Sequence, residues 1–138
     1  MNRMVVGLIA GVVGVVGMAA AGCSSPQVKT QGTQQDITAT YKGRTLRADL
    51  PGTARVPAVI AAADQTFRAR GYAVQRSTAT EDAGEIVANA PRHSSLPRVV
   101  VSASRGVETT GVEVMVEPFG DQELSRSVLD GVLQRLGL

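Results

Sequence analysis

From residue 112 to residue 117 the chain alternates without a break, with Val112, Val114 and Val116 against Glu113, Met115 and Glu117. Period two with branched apolar side chains makes this a strand, with one face in a core and the other in water. A sheet built from such strands is half of a fold, because its apolar face must be covered by something else. Other stretches repeat the pattern. Leu46, Ala48 and Leu50 oppose Thr45, Arg47 and Asp49, so residues 41–50 read as one strand, with Lys42-Gly43 bending its start. Further strands are expected over 72–80, over 85–90 with Ile86 and Ala88 inward, over 98–104 and over 109–117.

Two segments carry the helical period instead. Over 56–70, Val56, Val59, Ile60, Ala63 and Phe67 fall on one face, with Asp64, Gln65 and Arg68 opposite. Pro57 lies in the first turn, where a missing N–H costs nothing, and Gly71 follows as a left-handed C′ residue. The last helix opens at Gly120 or Asp121 and buries Leu124, Val128, Leu129, Val132, Leu133 and Leu136. Gly131 lies inside it at a cost of ~1 kcal/mol relative to alanine, which suggests close approach to the sheet. The expected fold is α+β, a two-layer sandwich of about five antiparallel strands with two helices on one face, in the order β-α-β-β-β-β-α.

The chain is organised in three pieces. Residues 1–22 begin with Arg3 and run from Val5 to Ala21 with no polar side chain, broken only by Gly7, Gly11, Gly14 and Gly17. This has the form of a secretory signal peptide. The rival, a retained span with Gly7 and Gly11 as a helix-packing pair, is short for a bilayer crossing of ~20 residues. Ala20-Ala21-Gly22-Cys23 resembles the lipobox of bacterial lipoproteins. The resemblance implies diacylglycerol transfer to the Cys23 sulfur, cleavage before Cys23 and acylation of its new α-amine. Ser24 in place of aspartate then implies the periplasmic face of the outer membrane in a Gram-negative cell, and otherwise the outer face of the cell membrane. Cys23 is the only cysteine, so a disulfide framework is excluded. Residues 23–40 follow as a lipidated flexible tether of Ser, Thr and Gln, spanning roughly 20–25 Å as a coil. Residues 41–138 form a single domain.

Three pieces of that domain resemble a family of small bacterial lipoproteins, the domain of unknown function 3568 family. They are Arg70-Gly71-Tyr72-Ala73-Val74, Gly84-Glu85-Ile86, and Phe119-Gly120-Asp121-Gln122-Glu123-Leu124-Ser125-Arg126. The resemblance covers roughly residues 41–136 and implies the same α+β fold and a lipid anchor, with no reaction.

Charge and chemistry narrow the function by exclusion. The net charge of +2 includes Arg3 of the leader, and acidic residues interleave with Arg44, Arg47, Arg76, Arg98 and Arg105, so bulk attraction to nucleic acid is not expected. The aromatics are Tyr41, Phe67, Tyr72 and Phe119, too few for a stacking platform. His93 is the sole histidine, in a polar loop over 89–96. Its neighbours Ser94 and Ser95 do not make a triad without a carboxylate nearby. Glu113, Glu117, Asp121 and Glu123 read as solvated or helix-capping charge, and no metal, cofactor or enzymatic activity is expected.

The expectation is a lipid-anchored, non-catalytic domain that binds or scaffolds a protein of the cell envelope. Arg47, Arg76, Glu113, Met115 and Glu117 on the wet sheet face are the candidate partner surface. The alternative is a carrier of a small ligand or lipid in a cleft between helices and sheet, and a hydrolase built on His93 is a distant third. Labelled palmitate is expected in the native chain and absent from Cys23→Ser; equal labelling of the two would refute the anchor.

Overall fold

The computed structural model describes residues 25–91 and 97–138. Seven strands and two helices follow one another as β1 (Gln27–Gln31), β2 (Ile37–Lys42), β3 (Thr45–Pro51), α1 (Val56–Ala69), β4 (Ala73–Ala79), β5 (Ala83–Asn89), β6 (Arg98–Arg105), β7 (Thr109–Glu117) and α2 (Gln122–Leu136). All strands join one antiparallel sheet in the spatial order β1-β2-β3-β7-β6-β5-β4. Both helices lie on one face: α1 over β4, β5 and β6, and α2 over β7, β3 and β1.

The α+β class and the two-helix cover agree with the sequence, but the strand count and order do not. The sheet has seven strands rather than about five, and its order is β-β-β-α-β-β-β-β-α. Both extra strands come from the part of the chain read as tether and bent strand. Lys42-Gly43-Arg44 is a hairpin turn with Gly43 at φ 65°, and it divides β2 from β3. β1 pairs with β2 from Gln27 opposite Tyr41 to Gln31 opposite Ile37. The residues between Cys23 and β1 are therefore few. Cys23 and the leader themselves lie outside the described residues, as do His93, Ser94 and Ser95.

Alternation sets the two faces. Leu46, Ala48 and Leu50 of β3, Val112, Val114 and Val116 of β7, Val99, Val101 and Ala103 of β6, and Ile86 and Ala88 of β5 are all buried against the helices. β2 adds Ile37 and Ala39. From α1 come Val56, Val59, Ile60, Ala63 and Phe67, and from α2 come Val128, Leu129, Val132 and Leu133. The Phe67 and Tyr72 rings meet at 5.5 Å, which closes the core beneath the end of α1.

Local chemistry bounds each helix. Arg55 precedes α1 without a side-chain cap, and a proline in the first turn removes one orphan N–H. Gly71 at φ 73° and the Tyr72 N–H bond to the Phe67 carbonyl at 2.9 Å stop α1. Asp121 is the cap of α2, its carboxylate accepting from the Leu124 N–H at 2.9 Å. Gly137, at φ 73°, ends it.

The edge strand β1 is held by polar contacts. Arg126 of α2 is 7% exposed, and its guanidinium donates to the Gln27 carbonyl at 2.9 Å. The Gln31 amide, oriented to suit its neighbours, donates to the Asp130 carboxylate at 2.9 Å and to the Arg126 carbonyl at 3.2 Å. At the opposite edge, β4 is exposed along almost its whole length and carries an irregularity between Val74 and Arg76, where Gln75 drops out of the pairing.

Gly131 does mark a close approach, to α1 rather than to the sheet. A Cβ there would lie 2.7 Å from Thr66 Cγ2. Thr66 is fully buried and its hydroxyl donates to the Ala62 carbonyl at 2.8 Å, so the methyl has no easy way to move. Gly131→Ala gains ~1 kcal/mol of helix propensity but incurs an overpacking cost of ~1–3 kcal/mol. Urea denaturation is expected to show a net loss of stability. Adding Thr66→Ser, which removes the methyl and keeps the hydroxyl, is expected to recover it.

Candidate functional site

The sheet face turned away from the helices has no cover among the described residues, and its rows follow from strand register. One row crosses the strands as Arg76, Val87, Val100, Met115 and Thr45. The next row, two residues along each strand, is Thr78, Glu85, Ser102, Glu113, Arg47 and Thr40. On the other side of the first row, Asn89, Arg98 and Glu117 stand opposite one another. An apolar row of Val87, Val100 and Met115 thus runs between two charged rows.

The charges on this face are paired. Arg47 of β3 meets Glu113 directly across on β7, and Arg76 of β4 reaches Glu85 on β5. Arg98 of β6 donates through Nε to Glu117 of β7 at 2.6 Å. These pairs bracket a shallow trough of about 560 Å³ floored by Val87, Val100 and Met115 and walled by Gln75 and the Arg76–Glu85 and Arg98–Glu117 pairs. Val87 is 8% exposed although it points to the open side. Two smaller hollows continue the surface across β2 and β3, one beside Thr38 and Asp49 and one beside Lys42 and Thr45, both bordered by Arg47.

All five residues singled out by sequence, Arg47, Arg76, Glu113, Met115 and Glu117, lie on this face. Met115 is at its centre, and the four charged residues belong to three different ion pairs. The candidate surface read from the sequence lacks Gln75, Glu85, Val87, Arg98 and Val100, which complete the trough. A signal for Val87 was present: with Ile86 and Ala88 inward, an apolar residue between them must face outward. Its neighbour Val100 depends on β5–β6 register, which alternation alone does not give.

The acidic residues do not assemble into a catalytic pair. Glu113 and Glu117 each bind a different arginine, and Asp121 caps α2. No cluster of three or more His, Cys, Asp and Glu side chains suited to a metal occurs among the described residues. The helix–sheet interface is apolar and, at Gly84, closely packed. A Cβ on Gly84 would lie 2.7 Å from Ile60 Cγ1 and 3.2 Å from Val56 Cγ1. Among the described residues no helix is long and apolar enough to cross a membrane. No protein-family model matches the chain, and no curated protein is similar to it.

The ion pairs of the open face contribute little to folding. The Arg47 side chain is 70% exposed, and exposed ion pairs stabilise by only ~0–1 kcal/mol. Replacing Arg47 and Glu113 together by alanine is expected to cost less than about 1 kcal/mol. Val114→Ala, between Glu113 and Met115 but facing the helices, is expected to cost about 2 kcal/mol. Chemical denaturation of both variants checks the contrast, and a comparable loss in the two would make the open face part of the folding core.

Proposed function

We propose that this protein is a lipid-anchored lipoprotein of the cell envelope whose domain binds another envelope protein through its open sheet face, without catalysis. The observation that carries the binding reading is the trough on that face. Val87, Val100 and Met115 form a continuous apolar strip between arginine–glutamate pairs, on the sheet face that the helices leave uncovered. Interfaces have this anatomy, with an apolar centre enriched in Met and Arg and a polar rim that fixes orientation. The alternating signs favour recognition of one complementary partner over adhesion to a uniformly charged polymer.

The anchor half of the reading rests on the sequence, on Ala20-Ala21-Gly22-Cys23 and on the polar residues that follow. It also accords with the resemblance of the domain to small lipoproteins. Acyl chains on Cys23 hold the chain to the membrane, and stable anchoring requires two or more such signals. The carrier alternative draws no support from the helix–sheet layer, where Ile60, Val56 and Gly84 pack without room for a guest.

A photo-reactive side chain placed at Met115 in intact cells is expected to give one discrete protein adduct. The same group at Gln65, exposed on α1, is expected to give none. Reversing both Arg98 and Glu117 should abolish the Met115 adduct, because the rim would then present the opposite sign pattern. Equal adducts at the two positions, or none at Met115, would refute binding through this face.

A further inference from the structure

The direction of β1 fixes which end of the domain faces the anchor. Gln27, its first residue, pairs with Tyr41, one residue before the β2–β3 turn. Three residues, Ser24, Ser25 and Pro26, separate Cys23 from Gln27, so the chain reaches at most about 14 Å from Gln27. The expected stand-off of a long coil is therefore replaced by a short leash at one particular end of the sheet.

Among the described residues, that end holds the most exposed apolar side chain near the leash. Phe119 is 88% exposed in the loop between β7 and α2, and Lys42 and Arg44 are exposed in the adjacent turn. The loop is rigidly supported. Arg44 donates to the Pro118 carbonyl at 2.6 Å, and the Gly120 N–H donates to the Val116 carbonyl at 2.8 Å. Gly120 adopts φ 82° so close to Arg44 and Tyr41 that a Cβ would lie 3.0 Å from Arg44 Cα. A loop braced in this way and displaying a bare aromatic ring is not explained by the core, which Phe119 does not enter.

Lys42 and Arg44 lie in the turn against this loop, and of the acids on its other side Asp121 caps α2 and Glu123 sits in that helix's first turn. The far end carries Asp36, Glu81, Asp82 and Glu108 against Arg55 and Arg105. An aromatic ring beside two cations is the combination that inserts at the headgroup level of an anionic bilayer, with apolar burial and electrostatic attraction acting together.

We infer that the domain docks end-on to the anionic bilayer that anchors it, through Phe119, Lys42 and Arg44. The inference rests on the proposed anchor at Cys23. Docked this way, the strands rise from the membrane and the open sheet face stands clear of it, accessible from the side.

The chain contains no tryptophan, so Phe119→Trp creates a single reporter. Val107→Trp is the control, because Val107 is equally bare and lies in the β6–β7 turn about 30 Å away along β7. Each full-length, acylated chain is reconstituted into phosphatidylglycerol vesicles containing brominated acyl chains, and acylation of Cys23 is verified by mass. Quenching is expected to be several-fold stronger for Phe119→Trp than for Val107→Trp, and weaker when Lys42→Glu is added. An acylated chain with equal quenching at both positions, or none at Phe119→Trp, overturns the docking and leaves the anchor standing. Undiminished quenching with Lys42→Glu overturns the electrostatic part. An unacylated Cys23 overturns the anchor and the docking together.

Discussion

Two helices cannot cover seven strands, and most of this molecule follows from that mismatch. Strands about 4.8 Å apart make a seven-stranded sheet nearly 30 Å wide, while a helix with its side chains is only 10–12 Å across. α1 and α2 pack against each other on one face of the sheet, so close that Thr66 and Gly131 leave no space for a methyl group. The apolar core is concentrated beneath them, on β3, β7, β6 and β5. The two edges receive thin cover and solve the problem differently. β1 is tied down by a buried arginine and an amide from α2, and β4 stays largely in water.

The same mismatch decides how much the sequence reveals. β6, β7 and both helices lie in the covered zone, where burial forces period two or period 3.6, and their residues announce them. β1 lies at the margin, where Gln27, Lys29 and Gln31 take the helix-facing positions that valines hold elsewhere. Its backbone pairing with β2 and the reach of Arg126 replace apolar contact, and neither is visible in composition. β2 was more accessible, since Ile37, Ala39 and Tyr41 alternate with Thr38, Thr40 and Lys42, but the polar stretch before it obscured the pattern. Gly131 signalled a close contact without naming its partner, because crossing of helix on helix and helix on sheet leave the same small residue.

The open face shows the converse. Its charged residues were legible because alternation assigns each strand two sides, and Arg47, Glu113, Met115 and Glu117 fall on the outer one. Their pairing was not legible, because it depends on β7 lying between β3 and β6, an order set by the long crossover through α1. Once that order is fixed, arginines and glutamates from separate parts of the chain meet across neighbouring strands, leaving an apolar strip between them. The exposed ion pairs of such a surface add little to stability, so the polar rim is free to vary more than the valines that face the helices.

The irregularity at Gln75 acquires a further meaning under the proposed anchoring at Cys23. Molecules held by one end share a common height and orientation, so their sheet edges are presented to one another far more often than in free solution. An unguarded edge under those conditions invites strand-by-strand fusion of neighbours. On β4 the displaced Gln75 interrupts the ladder midway, and the arginine beside it places charge along the rim. An edge interrupted in this way is a poor template for such fusion.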